Sequence, residues 1–327
     1  MTTRRELLSI LGAGALSVPL AAVAQPKAGV TARIGVLGAG SLSGWVPMVE
    51  ALKAGLRERG YVEGKNIHLE YRWADGNYER LPDLAAELLA ARVDVIVTHA
   101  RAGIRAAKQA TASTPIVMAS IGDPVAAGLI ANLSRPGGNI TGLSFFSQEI
   151  TAKRLELLRE TLPHTATIAV LMDRSTIEPA DIQVRESAAK ALKIAIQVVD
   201  VKSVSELENK ISAIAKNRRA GLSVSETPML ISNGKTVGAL ATKHRLASIG
   251  FSAVAEGGGL MSYGADIPAM WHRAATYVDK ISNGTKPGDI PVEQPTKFEM
   301  VVNLKPAKTL GITIPPSVMV RATRVIE

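Results

Sequence analysis

Apolar and polar positions alternate along this chain in two rhythms, which together predict an α/β protein. Short apolar runs at Arg33–Leu37 and Val93–Val97 have the length and composition of buried strands. Between such runs, apolar residues recur at helical spacing, as they do over residues 204–217. The alternation of strand and helix starts at residue 33 and begins again near residue 150. Regular alternation is typical of parallel, doubly wound sheets, so the sequence predicts two of them.

The C-terminal part of the chain breaks this rhythm. A glycine-rich segment at residues 257–264 leads into a helix over residues 268–281, and a last strand follows at residues 298–304. A segment that crosses from one lobe to the other and back is typical of a bilobed hinge protein. We expect the ligand of such a protein in the cleft where the carboxyl ends of the strands of both lobes meet. The predicted lobes are given by four ranges: residues 30–144 plus 263–297 form lobe one, and residues 145–262 plus 298–327 form lobe two.

The first 24 residues have the pattern of an export signal. Arg4 and Arg5 precede an apolar run that ends in the small-x-small triplet Ala22-Val23-Ala24. The paired arginines resemble a twin-arginine export box, and the general export route stays open as the alternative. A transmembrane anchor is disfavoured because glycine, serine and proline dilute the apolar run. The sequence therefore predicts a cleaved signal and an exported, periplasmic protein without stable membrane insertion.

Composition excludes several classes of function. The chain has no cysteine, which rules out disulfides, thiolate catalysis, thiolate metal sites and a lipid-modified cysteine as a tether. The formal net charge is +9, but the charges are interspersed and no basic-aromatic run occurs. A nucleic-acid surface needs clustered basic residues, so we expect no nucleic-acid partner.

Catalytic and cofactor motifs are weak. Gly38–Gly44 resembles a loose dinucleotide fingerprint, but its third glycine comes one place late. Ser232–Thr236 ends like a phosphate-binding loop, yet Met229 stands where that motif needs glycine. The histidines are isolated from one another, and no nucleophile has a base nearby in the sequence. We therefore expect no enzyme, no cofactor and no metal, with a Rossmann-type nucleotide-dependent enzyme as the less favoured alternative.

Two residues attract attention by position alone. His99 comes just after the third predicted strand, where a cleft residue belongs. Asp123 lies in the loop that comes directly after the fourth predicted strand, where its carboxylate can bind a ligand ammonium group, cap the following helix, or do both.

A set of motifs spread over the chain resembles those of the ABC transporter substrate-binding proteins related to tryptophan- and tyrosine-binding components. The resemblance covers residues 34–327 and rests on these segments: Gly60–Ile67, Glu70–Ala74, Val93–Val97, Asp123–Val125, Arg135–Asn139, Lys153–Leu158, Gly259–Gly264, Pro291–Phe298 and Ile314–Pro316. It implies the type I periplasmic binding fold, with two lobes that close on a small ligand. It also implies a monomer that works with a cognate ABC permease and its ATPase.

The resemblance further implies which residues line the cleft. Those expected from lobe one and lobe two, with the crossover last, are Ser41, His99, Ala100, Asp123, Asp173, Glu226, Phe251, Tyr263 and Asp266. His99 and the Asp173-Arg174 pair depart from the small residue and the asparagine that the family often has there. The favoured ligand is an amino acid, an aromatic one included. We expect Asp123 or Asp266 on its ammonium group, Ser41 or backbone amides on its carboxylate, and Phe251 or Tyr263 stacked on its side chain. An exported sensory module of the same fold, which serves a receptor, stays open as the alternative.

Overall fold

The protein consists of two parallel-strand sheets, each covered by helices. The structure is a computed structural model and describes residues 32–145, 147–177 and 179–327. The predicted export signal, residues 1–24, lies outside the described residues.

The strands that the structure describes are β1 Ala32–Gly38, β2 Ile67–Trp73, β3 Val95–His99, β4 Ile116–Ser120, β5 Ile140–Gly142, β6 Thr167–Met172, β7 Ala195–Asp200, β8 Ala220–Val224, β9 Ser248–Gly250, β10 Met261–Gly264, β11 Glu299–Asn303 and β12 Arg324–Ile326. The helices are α1 Leu42–Glu58, α2 Leu81–Ala90, α3 Ala100–Ala110, α4 Ser147–Thr161, α5 Pro179–Ala191, α6 Leu207–Ala215, α7 Pro228–Ser232, α8 Gly234–Lys243, α9 Ser252–Glu256, α10 Ile267–Ser282, α11 Leu304–Leu310 and α12 Pro316–Met319.

Each sheet has the strand order of a doubly wound domain. Within the described residues the first sheet has the order β2-β1-β3-β4-β5, and all its neighbouring pairs are parallel. The second has the order β12-β11-β10-β9-β8-β6-β7. Its one antiparallel pair among the described strands is β10 with β11, an exception to the expected parallel pairing. The exception arises because the chain leaves this sheet after β10 and returns to it from the other lobe.

Side-chain burial follows from the alternation of strand residues between the two faces of a sheet. In β1, Ile34 and Val36 pack towards α1 and α10, whereas Leu37 packs on the opposite face towards α2 and α3. The second sheet is likewise buried on both faces. Strands covered on both faces read as continuous apolar runs in the sequence, which explains why the runs predict the strands well.

The chain passes between the two sheets between β5 and α4, between β10 and α10, and between residue 293 and β11. Helix α10 packs along α1 in the first lobe, and Leu143 forms an isolated bridge with Glu293 beside the crossings. Residues 263 and 264, which the predicted boundary gives to lobe one, lie in β10 of the second sheet. The predicted lobe ranges as a whole stay a prediction. No helix in the described ranges is long and apolar enough to cross a membrane.

Candidate functional site

The carboxyl ends of the strands of both sheets face one another across a cleft. The first sheet contributes the loops after β1, β3 and β4, and the second contributes those after β6, β8 and β9. The lobes touch across this cleft: the Ser41 backbone N–H donates to Ser232 Oγ at 3.3 Å. Arg101 Nη2 of the first lobe lies 3.4 Å from Asp181 Oδ2 of the second. The two lobes therefore stand close together in this structure.

His99 is the centre of an aromatic cluster in the wall of the first lobe. Its ring stacks on Trp45 with centroids 3.6 Å apart, and the rings of Trp271 and Trp73 follow at 5.6 and 6.5 Å. These are all three tryptophans of the chain. His99 Nε2 accepts a hydrogen bond from the Ala39 backbone N–H at 3.1 Å, so the neutral ring carries its proton on Nδ1. Complete burial lowers the pKa of His99 to about 3, and this wall is therefore uncharged at neutral pH.

The residue after His99 has an unusual backbone. Ala100 begins α3 with a φ of 56°, a left-handed conformation that is uncommon for residues other than glycine. Such outliers persist where the surrounding structure enforces them, often at ligand sites. The predicted pair His99 and Ala100 therefore lies where the chain turns sharply from β3 into the cleft.

The glycines of the loop after β1 make room for indole rings. A Cβ on Gly38 would lie 1.9 Å from the Trp73 ring, and one on Gly40 would lie 2.4 Å from Trp45 Nε1. Side chains of this protein thus fill the space that a dinucleotide would need for its phosphates. Ser41 caps α1, since its Oγ accepts from the Gly44 N–H.

Tyr78 of the first lobe stands opposite Asp173 of the second. Burial raises the pKa of the Tyr78 phenol, and the negative charge of Asp173 adds to the rise. The Tyr78 hydroxyl is buried and lies within reach of the Asp173 carboxylate. Asp173 is itself buried, and its Oδ1 accepts from the backbone N–H and the hydroxyl of Ser175. The Tyr78 hydroxyl, a donor, and the Asp173 carboxylate, an acceptor, thus lie close together across the cleft, and each can still make further hydrogen bonds.

A buried ion pair forms the floor of the second lobe. Arg154 of α4 is 1% exposed and binds both carboxylate oxygens of Glu226, with one of these bonds 2.9 Å long. Its Nε donates to the Tyr263 carbonyl at 2.7 Å, and Nη1 also donates to the Val224 carbonyl at 3.0 Å. Glu226 comes two residues after β8, at the carboxyl edge of the second sheet. Its charge, however, is already balanced by Arg154.

The four other predicted residues lie near the cleft in different ways. Asp123 Oδ1 accepts from the N–H groups of Val125 and Ala126 and closes a turn at residues 124–128, where the structure has no helix to cap, whereas Asp266 Oδ1 accepts from the Ala269 N–H and caps α10. Tyr263 stacks on Phe298 with ring centroids 5.8 Å apart, beside the crossings. Phe251 is buried and precedes the first residue of α9, with no capping bond from its side chain.

Phe251 borders a cavity of about 330 Å³ between the two lobes. Its other lining residues come from α1, the α7–α8 connection, α9 and the start of α10, with Ser43, Gly44, Ser232, Asn233 and Lys235 among them. Phe251 lines this cavity, whereas Asp173 and Glu226 do not. The nine predicted residues therefore do not form one cluster.

Sequence reasoning missed several residues that the structure brings to the cleft: Trp45, Trp73, Tyr78, Arg154, Arg185 and Ser232. For Arg154 a signal exists, since an arginine on the face of α4 that also carries Leu157 and Leu158 needs a buried partner. In the sequence, Ser232 stands out only as part of a segment that resembles a phosphate-binding loop. In the structure, its Oγ accepts from the Ser41 N–H of the other lobe.

Comparison with known proteins now identifies the family. A family model described as ABC transporter substrate binding protein matches residues 34–326. The chain belongs to this family. It is 28% identical over 263 residues to the tyrosine-binding protein of Clostridioides difficile, a match that covers 79% of this chain and 74% of that protein.

Two solved structures support the assignment. A conserved domain protein from Vibrio cholerae matches with a TM-score of 0.83 and 28% identity, over 90% of this chain and 99% of that one. The ABC domain in complex with L-Trp from Streptococcus pneumonia matches with a TM-score of 0.82 and 26% identity, over 90% and 100% of the two chains. The substrate-binding family and the two-lobed periplasmic binding fold predicted from the sequence are thus confirmed.

Proposed function

We propose that this substrate-binding protein is the periplasmic component of an ABC importer and that it binds an amino acid, with an aromatic one favoured. The ligand lies in the cleft between the sheets, and closure of the lobes buries it. The export pattern of residues 1–24 supports the periplasmic location. No catalytic role is part of this proposal.

One observation supports it: behind the strand-end loops that border the cleft, the first lobe has a buried, uncharged aromatic cluster and the second lobe has buried charged groups. His99 and the tryptophans supply the first, and Asp173, Glu226 and their arginine neighbours supply the second. An amino acid with an apolar side chain has a matching uncharged part, its side chain, and a matching charged part, its ammonium and carboxylate groups. The relatives that bind tyrosine and L-Trp lend support to this ligand class.

The nucleotide-dependent enzyme is disfavoured by the loop after β1. Because the rings of Trp73 and Trp45 occupy the space over Gly38 and Gly40, backbone amides there are not free to approach a pyrophosphate. The sensory module shares every feature of the cleft with the importer component. Co-purification from membranes distinguishes the two, since an ABC permease supports the importer and a sensor kinase supports the sensory role.

The test of ligand class is a thermal-shift screen of the purified protein against amino acids, nucleosides, sugars and small acids. A ligand that binds the native state stabilises it by mass action and so raises the unfolding midpoint. At a ligand concentration of a hundred times Kd, the free energy of unfolding rises by about 2.7 kcal/mol. We expect a shift with L-tryptophan or L-tyrosine, verified by calorimetric titration. A screen in which a sugar or nucleoside gives the shift and no amino acid does would refute the proposed ligand class.

A further inference from the structure

Arg185 is a buried cation in the second lobe with an unused hydrogen-bond donor. It lies on α5 and is 7% exposed. Its Nη1 donates to the Asp181 carbonyl one turn earlier, at 2.7 Å, whereas its Nε has no partner within the described residues. A buried charged group with an unmet donor is costly unless something else supplies the acceptor.

The charged groups around Arg185 leave it as the excess cation. Burial is the largest cause that lowers the pKa of Arg185; Asp181 and Glu226 attract the guanidinium and raise its pKa, Arg154 repels it, and the pKa is lowered overall. Both oxygens of Glu226 are bound by Arg154. Asp181 Oδ2 lies 3.4 Å from Arg101 Nη2. Both carboxylates that attract Arg185 are therefore already engaged by other guanidinium groups, those of Arg154 and Arg101.

The position of Arg185 places this excess charge at the cleft. Glu226, its neighbour, comes two residues after β8 at the carboxyl edge of the second sheet. Asp181, one helical turn before Arg185, reaches Arg101 of the other lobe. The N-terminal half of α5 therefore borders the space that lobe closure encloses.

We propose that Arg185 binds the carboxylate of the ligand, so that the protein requires a free carboxylate and rejects the corresponding amine. A guanidinium ion pairs with a carboxylate through two parallel N–H···O bonds, and the free Nε supplies one of these donors. This inference rests on the proposed function, because it concerns the same cleft and the same ligand.

The experiment compares three forms of one ligand on the full protein by calorimetric titration. The probes are L-tryptophan and L-tyrosine, the amines tryptamine and tyramine, which lack the carboxylate, and the deaminated acids, which keep it. Loss of a hydrogen bond to a charged group weakens binding by about 10- to 150-fold. We expect the amines to bind that much more weakly than the amino acids, and the deaminated acids to keep measurable affinity.

Variants assign the effect to Arg185. In R185Q the amino acids and the deaminated acids lose about 10- to 150-fold in affinity, whereas the amines lose nothing further. Lys190→Gln is the matched control, since Lys190 is an exposed cation on the same helix, and it leaves all affinities unchanged. Arg185→Lys keeps the charge without the planar fork, and it too lowers the preference for amino acid over amine, which keeps the test valid if R185Q does not fold.

The outcomes separate this inference from the function beneath it. If R185Q and R185K keep the preference of the wild type for amino acid over amine, Arg185 has a structural role and the inference is wrong. The same holds if wild-type protein binds tryptamine as tightly as L-tryptophan. If none of the aromatic probes binds the wild type, the proposed function fails and the inference falls with it.

Discussion

The two walls of the cleft differ in how they treat charge. In the first lobe, His99 is packed among indole rings and kept neutral, and its Nε2 accepts a hydrogen bond from the backbone N–H of Ala39. In the second lobe, Arg154, Glu226 and Arg185 keep ionised groups almost entirely buried. The aromatic cluster of the first lobe excludes charge and the ion-pair network of the second lobe concentrates it, although both lie near the carboxyl edge of a doubly wound sheet.

This difference indicates a division of labour between the lobes. An aromatic wall gains free energy from apolar area and ring stacking, which is tolerant of ligand size. A wall of buried ions is selective, because each unmatched charge in it carries a desolvation cost. A ligand stabilises the closed form only through contacts that both walls make at once. Changes confined to one wall, or to the junction between them, should therefore have separable effects.

The largest effect is expected from Arg154→Ala in the charged wall. Removal of the guanidinium leaves Glu226 without its partner and frees the carbonyls of Val224 and Tyr263. Breaking a buried ion pair in this way destabilises a protein by about 3–5 kcal/mol. Urea denaturation measures the loss, with Arg273→Ala as the control.

Arg273 also forms a two-bond pair with a glutamate, Glu293, but both side chains are more than a third exposed. Its removal should cost no more than about 1 kcal/mol. If Arg154→Ala and Arg273→Ala lower the free energy of unfolding by similar amounts, Arg154 and Glu226 do not form a buried ion pair in the second lobe.

The buried, neutral His99 of the first lobe should make the stability of the protein depend on pH. Because burial lowers the folded-state pKa of His99 to about 3 from an ordinary 6.5, the unfolded chain binds more protons between these values. Stability therefore falls as pH decreases below 6.5, by about 2 kcal/mol between pH 7.5 and 5 for this group alone. Urea denaturation over this range measures the slope.

His99→Gln removes the titrating ring, so that much of the slope should vanish. The control is His164→Gln, at an exposed position, which leaves the slope as it is in the wild type. A slope that persists in the His99 variant would mean that the acid sensitivity arises elsewhere in the protein.

The division between walls also explains what the sequence does and does not predict. Strands such as β1 and β6 are buried on both faces, so their apolar runs alone predict the sheets and the alternation of helices. The loops at the strand ends follow from the same order, which is why the sequence predicts that Ser41, His99 and Glu226 lie near the carboxyl ends of their strands, as the structure has them. Local patterns were sufficient for these positions.

Contacts between distant segments had no such signal. Asp123 and Asp266 each use one oxygen, Oδ1, to accept from backbone N–H groups two or three residues on, a role that the sequence does not distinguish from ligand binding. Arg154 and Glu226 are far apart in the chain, as are Gly44 and Ser232, so only the folded structure pairs them. Residues whose roles depend on such pairs stay hidden in the sequence even where their neighbourhood is predicted well.

The smallest effect is expected at the junction of the walls, from Gly44→Ala. A Cβ on Gly44 would lie 2.4 Å from Ser232 Cα and 2.7 Å from the Ser232 carbonyl oxygen, too close for any change of rotamer to relieve. The clash exists only when the lobes are together, whereas alanine favours the α1 helix in either state. We therefore expect about a tenfold loss of ligand affinity, at the lower end of the cost of overpacking, with no loss of stability in the free protein. Calorimetric titration and thermal unfolding measure the two quantities, and Ser43→Ala, one residue earlier in the same helix, is the control. Unchanged affinity in Gly44→Ala would mean that the bound form holds its lobes further apart than this structure does.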